Sequence, residues 1–358
     1  MSSLHLSQIR NWIFASPPIE WAARQLRELL IGALRQGPIP QHVAFVMDGN
    51  RRFAKSHQIE VVEGHNLGSE ALARILEVCY KSGVKVVTIY AFSIENFKRS
   101  KYEVDGLMGM AKLKLSQVIQ HGDLLDRYGA SIRFLGEREM VKPDVMKAID
   151  RAVELTSHNK DAILNVCFPY TSRDEITTAI RDTVIDYSTP LEQQPQRPFS
   201  EARIARNILS QHPTTSPPQR ASSPSPTSTS DAEEDSASSS TTLHPESRPS
   251  SEHGQPANPA FADPEKITIK TIEDHLYTAG NPPLDLLVRT SGVERLSDFM
   301  LWQCHQATEI VFLQCLWPEF DLWHFLPVLV EWQWRQRKSG EKAAGAGLPH
   351  AQSPKVVR

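Results

Sequence analysis

The 358-residue sequence has few cysteines, little net charge and no long uninterrupted apolar run. Its four cysteines form neither a Cys-x-x-Cys pair nor a zinc-binding spacing, so we expect buried, reduced thiols of the kind found in cytosol-facing proteins. A net charge of −3 excludes nucleic-acid binding by bulk electrostatics. No uncharged run reaches the roughly 20 residues of a membrane-spanning helix. The first residues lack the basic and apolar segments of a secretory signal.

Several motifs that bind phosphates or activate nucleophiles are also absent. The sequence has no GxxxxGK[ST] loop, no GxGxxG after a strand and no kinase HRD or DFG motif. It also lacks a DDxxD metal-binding run, a Gly-x-Ser-x-Gly elbow and an HExxH motif. Any site for an anionic ligand must therefore be built from local clusters of basic side chains.

The segment from His42 to Lys55 is the central feature of the chain. It begins with five residues that predict a buried strand, and it continues into the turn Asp48-Gly49-Asn50 and the pair Arg51-Arg52. A carboxylate, backbone N–H groups and two guanidinium groups at the carboxyl end of a strand suit a metal-bound phosphate ester. These residues alone leave a simpler alternative open, a tight turn before a solvated basic helix.

Strands and helices alternate along most of the chain, which is typical of an α/β fold with a mainly parallel central sheet flanked by helices. We predict strands over 42–46, 84–92, 131–135, 162–168, 284–288 and 309–313. We predict helices over 66–82, 102–128, 143–157, 172–187, 271–277 and 299–304, and a terminal helix after Phe320. Gly64-His65 is expected just before the first of these helices.

Composition predicts four regions. Residues 1–40 contain an amphipathic helix over 19–35, which either lies on a membrane surface or packs on the protein body. Its apolar face comprises Ala22, Leu26, Leu29, Leu30 and Ala33. Residues 41–188 and 266–337 form a single domain, interrupted by a disordered Ser/Pro-rich insert over 189–265. The insert is either a phosphorylation platform or a tolerated surface insertion, and residues 338–358 are expected to form a mobile tail.

Polar clusters follow three of the predicted strands, at 48–52, 93–99 and 289–297. Because ligands of open parallel sheets bind beyond the carboxyl ends of the strands, we expect the three clusters to converge. The clusters contain five arginines: Arg51, Arg52, Arg99, Arg289 and Arg295. Arginine suits phosphate oxygens, and two diphosphate groups would account for so much positive charge in one crevice.

Four blocks of the sequence resemble the motifs of cis-prenyltransferases, the undecaprenyl diphosphate synthase family. The blocks are His42 to Lys55, Gly64-His65, Ala91 to Arg99, and Arg289 to Gln303. They are most similar to the eukaryotic, dehydrodolichyl diphosphate synthase type of catalytic subunit, in order over about residues 10–187 and 266–335. The resemblance implies this family's fold, with an apolar product tunnel.

The implied activity is the Mg²⁺-dependent, sequential condensation of isopentenyl diphosphate onto farnesyl diphosphate. Its product would be long-chain dehydrodolichyl diphosphate for dolichol synthesis and protein glycosylation. The resemblance implies that Asp48 holds Mg²⁺ on the allylic diphosphate and that Asn50 helps to position the substrates for proton removal. Non-catalytic alternatives are a partner subunit of the same fold and a membrane-associated scaffold.

The resemblance also assigns the remaining site residues. Gly49, Asn50, Arg51 and Arg52 would bind the allylic diphosphate. Arg99 would add a contact to this diphosphate, and Ser93 and Asn96 would shape the site. Isopentenyl diphosphate would be held by Arg289, Arg295 and Ser297. His65 would lie near the leaving diphosphate, although a purely structural histidine is an equal alternative.

The tunnel would lie between the helices near 66–82 and 102–128. Candidate lining residues, for each of which an ordinary core position is the alternative, are Ala71, Leu72, Ile75, Leu76, Leu107, Met108 and Leu115.

Two departures from the bacterial pattern concern a second subunit. Thr308 stands where bacterial relatives have a metal-binding Glu, with Glu309 next to it, and the chain contains no C-terminal Arg-x-Gly motif. The resemblance therefore implies a Nogo-B-receptor-like partner that supplies this motif, with weak activity of the chain alone. It also implies a peripheral location on the cytosolic face of the endoplasmic reticulum membrane.

Overall fold

The computed structural model describes residues 17–121, 123–190, 261–305, 307–346 and 356–357. The chain forms two compact units, residues 1–183 with 268–358, and residues 184–267. In the second unit the described residues include a short 3₁₀ turn at Pro264–Lys266. Most of the predicted insert, and the N-terminal residues before Pro17, lie outside the described residues.

A parallel sheet forms the centre of the first unit. Its strands are β1 (His42–Val46), β2 (Val86–Tyr90), β3 (Ala130–Leu135), β4 (Ala162–Cys167), β5 (Leu286–Arg289), β6 (Glu309–Phe312) and β7 (Val356–Val357). The spatial order is β3-β4-β2-β1-β5-β6-β7, and all pairs are parallel. The predicted mainly parallel α/β fold is therefore confirmed.

Helices cover the sheet. They are α1 (Pro17–Leu34), α2 (Asn50–Ser56), α3 (Val61–Ser82), α4 (Lys101–His121), α5 (Asp123–Arg127), α6 (Pro143–Thr156), α7 (Ser172–Ser188), α8 (Ile269–Glu273) and α9 (Leu322–Ala346). Two clusters of buried apolar side chains form the core, one including Phe45, Ile75 and Phe325 and the other including Tyr170 and Phe299.

The position of β1 determines where a ligand can bind. All five of its residues are buried, as expected for a parallel strand that is covered on both faces. Its neighbours are β2 on one side and β5 on the other. The strands that follow β1 in the chain are therefore added first on the β2 side and later, from β5 onward, on the opposite side. Such a change of direction opens a crevice at the carboxyl ends of the strands, and Asp48 follows β1 at this point.

Helix α1 forms as predicted, but it packs through a different face. Ile31 and Leu34 are only 4% and 3% exposed, whereas Leu26 and Leu29 of the predicted apolar face are 47% and 70% exposed. The Gln333 amide of α9 donates a hydrogen bond to the Leu34 carbonyl at 2.6 Å and anchors the C-terminal end of the helix. The helix thus packs on the protein body and leaves its predicted apolar face in solvent. None of the described helices is long and apolar enough to cross a bilayer.

Three predicted boundaries are wrong. Helix α3 begins at Val61, so Gly64-His65 lies within its first turns rather than before it. Residues 299–304 form turns instead of a helix, because the chain reaches them through left-handed backbone at Ser297 and Asp298. The sequence predicts a helix over 271–277, but helix α8 covers Ile269–Glu273, so it begins and ends earlier than predicted.

The C-terminal boundary also differs. Helix α9 continues to Ala346, so residues 338–346 of the predicted tail are helical. Val356 and Val357 pair with Ile310 and Val311 of β6. The mobility of the remaining tail stays a prediction.

Candidate active site

The turn between β1 and α2 is the starting point of the site. Gly49 has φ = 116°, in the left-handed region, and a Cβ at this position would lie 3.0 Å from the Leu316 backbone. The Asp48 carbonyl accepts hydrogen bonds from Thr290 Oγ1 at 2.7 Å and from the Trp317 backbone N–H at 3.0 Å. These contacts fix the turn, so that the Asp48 side chain and the N-terminus of α2 face the crevice.

Asp48 and Arg289 form an ion pair across the ends of β1 and β5. Arg289 Nη2 donates to Asp48 Oδ2 at 2.9 Å, and Arg52 Nη2 lies 3.7 Å from the same oxygen. Burial acts to raise the pKa of Asp48, but the hydrogen bond and positive charge of Arg289, with the charge of Arg52, outweigh burial and hold this pKa below its usual value. The carboxylate is therefore ionised at neutral pH.

The first turn of α2 packs tightly against two glycines of α3. A Cβ on Gly68 would lie 2.3 Å from Asn50 Oδ1, and a Cβ on Gly64 would lie 2.7 Å from the Asn50 carbonyl oxygen. Asn50 Oδ1 is buried and has no hydrogen-bond partner among the described residues. An acceptor left in this state at the edge of the crevice is available to a ligand.

The turn after β2 presents the second polar cluster. The Ser93 side chain accepts from the Glu95 N–H at 3.2 Å, and Asn96 Oδ1 accepts from the Ser93 N–H at 3.0 Å. This reciprocal capping box begins a 3₁₀ turn over Ile94–Lys98. Ser93 and Asn96 therefore stabilise the turn that leads to Arg99.

Arg99 continues this cluster toward α3 and α4. Its Nη1 donates to Glu103 Oε1 at 2.8 Å, and Arg51 Nε lies 3.9 Å from the same oxygen. Burial, with the charge of Arg99, lowers the pKa of His65 to about 4, so the imidazole is neutral at neutral pH. In the described part of the chain, His65 Nε2 is buried without a hydrogen-bond partner.

The third cluster lies on the loop after β5. Arg289 Nη1 donates to the Arg295 carbonyl and, at 2.7 Å, to Ser297 Oγ, which also accepts from Arg295 Nε at 3.2 Å. Ser297, Asp298 and Met300 have φ values of 51°, 62° and 48°. Left-handed backbone costs a non-glycine residue about 1 kcal/mol, so surrounding contacts must hold this loop in place.

The three clusters line one cavity of about 1020 Å³. Its polar end includes Asp48, Asn50, Arg51, His65, Ser93, Asn96, Arg99, Arg289, Arg295 and Ser297. Its apolar end lies between α3, α4 and the face of β2, β4 and β3, and includes Leu72, Leu76, Leu107, Ala111, Leu115, Ile132, Phe134, Leu164, Val166 and Phe168. The predicted convergence of the clusters is confirmed, while their binding roles stay predictions.

Some predicted residues lie beside this cavity rather than on its wall. Gly49 and Arg52 are absent from the lining, although Arg52 Nη1 donates to the Ser291 carbonyl at 2.9 Å. Of the candidate tunnel residues, Leu72, Leu76, Leu107 and Leu115 line the cavity. Ala71, Ile75 and Met108 do not line it and are buried in the core instead.

Sequence reasoning missed several lining residues. Tyr90, Arg173 and Asp298 line the polar end, and none was assigned a role from the sequence, although Asp298 lies within the block Arg289 to Gln303. Tyr90 is the last residue of β2, and its position at a strand's carboxyl end was the one available signal. The apolar residues of β3 and β4 were missed because sequence does not tell which face of a buried strand meets a cavity.

Comparison with known proteins identifies the family. Residues 46–224 and 230–340 match the sequence profile of a family described as putative undecaprenyl diphosphate synthase. This chain belongs to that family, the cis-prenyltransferases. The dehydrodolichyl diphosphate synthase complex subunit of Schizosaccharomyces pombe is 40% identical over 92% of this chain and 98% of its own length. The human complex subunit is 34% identical over 84% of this chain and 69% of its own length.

Solved structures of cis-prenyltransferases have the same fold. Lavandulyl diphosphate synthase from Lavandula x intermedia, in complex with dimethylallyl diphosphate, aligns with a TM-score of 0.57 and 25% identity, over 82% of this chain and 95% of its own. A probable undecaprenyl diphosphate synthase from Campylobacter jejuni aligns over the same shares with a TM-score of 0.50 and 20% identity. The second likeness supports the fold alone.

Thr308 and Glu309 mark the position at which the resemblance implies a metal-binding Glu in bacterial relatives. Thr308 is buried, and its Oγ1 donates to the Leu284 carbonyl at 2.7 Å. Glu309 lies 3.0 Å from Arg335 Nη1 of α9 and does not line the cavity. Neither residue therefore offers an oxygen to the cavity in this structure.

The residues present fit a Mg²⁺ ion that is held mainly by a substrate. Within the described residues, no group of three or more His, Cys, Asp or Glu side chains is placed to hold a metal ion. Asp48 nevertheless offers an ionised carboxylate on the wall of an arginine-rich cavity. Mg²⁺ commonly binds in this way, through one or two carboxylates together with substrate phosphates and waters.

Proposed function

We propose that this cis-prenyltransferase condenses isopentenyl diphosphate onto an allylic diphosphate such as farnesyl diphosphate and repeats the step to build long-chain dehydrodolichyl diphosphate. One observation carries this proposal. A single cavity joins an arginine-rich end, suited to two diphosphates, to an apolar end suited to an isoprenoid chain. The eukaryotic relatives named above are dehydrodolichyl diphosphate synthase complex subunits, which supports the same product class.

The allylic diphosphate would bind beside Asp48. Backbone N–H groups at the start of α2 and the side chains of Arg51, Arg52 and Arg99 would contact its oxygens. His65, neutral at pH 7, offers a hydrogen-bonding nitrogen without adding charge. Ser93 and Asn96 would act by fixing the turn before Arg99.

Isopentenyl diphosphate would bind to Arg295 and Ser297, with Arg289 between the two half-sites. Arg289 already contacts both Asp48 and Ser297, so it would face both diphosphates. Asn50 Oδ1, an acceptor without a partner among the described residues, would orient the substrates for loss of the proton that leaves the new cis double bond.

The reaction develops negative charge on the leaving diphosphate. Mg²⁺, when bound at Asp48, would stabilise this charge. Arg99 and Arg289 would contribute in the same way, because ion pairs with Glu103 and Asp48 hold them in place before the substrate arrives. The apolar end would exclude water from the allylic carbocation and accept the growing chain.

The proposal includes a second subunit and a membrane. Thr308 and Glu309 supply no further ligand to the cavity, and relatives are named as complex subunits. We therefore expect a Nogo-B-receptor-like partner with a C-terminal Arg-x-Gly motif to complete the site. The exposed apolar side chains of α1 suit peripheral contact with the cytosolic face of the endoplasmic reticulum membrane.

Product chromatography tests the function. The purified chain, alone and co-expressed with such a partner, is incubated with labelled isopentenyl diphosphate, farnesyl diphosphate and Mg²⁺. We expect long polyprenyl products from the complex and little product from the chain alone. A complex without products contradicts the function, and full activity of the chain alone contradicts the need for a partner.

A further inference from the structure

The loop that presents Ser297 is tied to the N-terminus of α7 by a compact set of hydrogen bonds. Asp298 Oδ1 accepts from the Arg173 backbone N–H at 3.1 Å, and Asp298 Oδ2 accepts from Arg173 Nε at 2.7 Å. The Asp298 carbonyl accepts from the Ser172 N–H at 2.8 Å, and Ser172 Oγ accepts from the Leu301 N–H at 2.9 Å. Asp298 therefore caps a helix that begins more than a hundred residues earlier in the chain.

This loop needs such an anchor. Ser297 and Asp298 both have left-handed backbone, which is unfavourable for serine and is adopted by aspartate more readily than by most residues, so two consecutive residues in this conformation need supporting contacts. Ser297 Oγ receives hydrogen bonds from Arg289 and Arg295, so the backbone position of Asp298 determines where these two guanidinium groups point. Tyr90 completes the anchor, since its hydroxyl donates to the Ser297 carbonyl at 3.2 Å and its ring stacks on Phe299.

We infer that Asp298, clamped by Arg173, is a positioning residue for the isopentenyl diphosphate half of the site. The inference deepens the proposed function and rests on it. In the clamp, the Asp298 carboxylate holds the loop, the loop places Ser297, and Ser297 orients Arg289 and Arg295. The chain thus uses the N–H groups at the start of α7 to support the arginines that would bind the diphosphate.

The exposure of the side chains shows which contact of Arg173 contributes more to holding the loop, the one with Asp298 or the one with Glu95. The Asp298 side chain is only 13% exposed, so we take its hydrogen bond from the Arg173 backbone N–H as the main contact of the clamp. Arg173 also lies 3.6 Å from Glu95 on the turn after β2, but this contact is long and Arg173 is 72% exposed. Exposed pairs of this kind contribute little. The clamp therefore acts on the Ser297 side of the cavity and not on the Arg99 side.

The test separates the two substrates. In the complex with its partner subunit, Asp298→Ala is expected to raise KM for isopentenyl diphosphate about tenfold and to leave KM for farnesyl diphosphate within about twofold. Arg173→Ala keeps the backbone N–H that Asp298 Oδ1 accepts and removes only the contact of an exposed guanidinium, so it should produce a smaller split in the same direction. The double variant should be no worse than the poorer single variant, because the two residues act as one unit. Arg151→Ala, which breaks an exposed ion pair on α6, is the matched control and should leave both constants unchanged.

A second variant tests the clamp if Asp298→Ala does not fold, and a binding measurement tests it without enzymatic activity. If Asp298→Ala fails to fold, Asp298→Asn keeps one oxygen for the Arg173 backbone N–H but loses the charge and the second oxygen, which accepts from Arg173 Nε, and a smaller split is expected. Calorimetric binding of inorganic pyrophosphate needs no turnover, and Asp298→Ala should weaken it even if the wild-type complex makes no polyprenyl product. Weaker pyrophosphate binding by Asp298→Ala, together with a wild-type complex that makes no product, would contradict the proposed function but not the clamp. Equal changes in both KM values, additive effects in the double variant, or unchanged pyrophosphate binding would overturn the clamp.

Discussion

At the scale of single residues, Asp48 both forms a half-buried ion pair with Arg289 and faces the cavity. Its contact with Arg289 lowers its pKa, so that it stays ionised and available to a metal ion. An amide at this position would keep an oxygen for Arg289 but lose the charge. The structure therefore allows the catalytic and the folding roles of the carboxylate to be separated.

Asp48→Asn is expected to lower kcat by at least about 100-fold, because an uncharged ligand stabilises Mg²⁺ and the leaving diphosphate poorly. Circular dichroism should show an unchanged fold. The control is Asp144→Asn on α6, which breaks an exposed ion pair with Lys112 and should change kcat by less than about twofold. Retention of wild-type kcat by Asp48→Asn would contradict the role of this residue.

His42 provides a test of stability that does not depend on activity. Burial lowers the pKa of His42 to about 4, and its ring nitrogens contact Pro282 O and Thr88 Oγ1 at 3.0 and 2.7 Å. Because the unfolded histidine takes up its proton near pH 6.5, the free energy of unfolding should fall as pH drops from about 6.5 toward 4. For His42 alone the loss is about 2 kcal/mol at pH 5.

Urea unfolding at pH 7 and pH 5 measures this effect. The His42→Gln variant should lose about 2 kcal/mol less than the wild type between the two pH values. His158→Gln, at an exposed position, should keep the wild-type difference. An identical pH dependence in wild type and His42→Gln would show that His42 binds a proton equally well in the folded and the unfolded chain.

Residue types at strand ends were predictable from the sequence, but their partners were not. Asp48, Arg99 and Arg289 follow strands whose apolar composition is plain, so their convergence could be predicted. The partners of Tyr90 and Asp298 could not be predicted, since each residue contacts residues that are distant in the chain. A local pattern contains no information about such contacts.

At the scale of elements, the contact between α2 and α3 is the one most sensitive to sequence. Gly68 lies where any side chain would meet Asn50 and Trp317, and its carbonyl accepts a hydrogen bond from Trp317 Nε1 at 2.7 Å. The glycine therefore allows α2 to approach closely, and with it the N–H groups that would bind the allylic diphosphate.

Gly68→Ala should displace Asn50 and lower kcat/KM by about 100-fold, with a loss of about 1–3 kcal/mol of stability. Gly109→Ala is the matched control on α4, where a Cβ meets nothing within 4 Å. It should stabilise the protein by up to about 1 kcal/mol, the usual helix preference for alanine. Steady-state kinetics and thermal unfolding give both readouts, and equal behaviour of the two variants would contradict the packing argument.

Element types were predictable where burial is uniform and failed where the tertiary structure overrides local preference. The run around β2 predicts a strand because both of its faces are covered. The apolar spacing over 299–304 predicts a helix, but hydrogen bonds to α7 hold the preceding backbone in left-handed conformation and prevent it. For α1, periodicity found the helix but chose the wrong buried face.

At the scale of the whole molecule, the central claim is that one cavity serves both the reaction and the product. The sheet supplies one wall, α3 and α4 supply the other, and the polar clusters close one end. In the proposed reaction a growing isoprenoid would extend toward the apolar end, where Ala111 lies on the wall of α4. A larger side chain at Ala111 would occupy space that the chain needs.

The most direct measurement is the product-length distribution of Ala111→Phe, compared with that of Leu113→Phe. Leu113 lies on the same helix, is 57% exposed and does not line the cavity. With farnesyl diphosphate, labelled isopentenyl diphosphate and the partner subunit, Ala111→Phe should make products shorter by at least one isoprene unit, and Leu113→Phe should make wild-type products. Unchanged product lengths in an active Ala111→Phe enzyme would contradict the claim that the chain grows in this cavity.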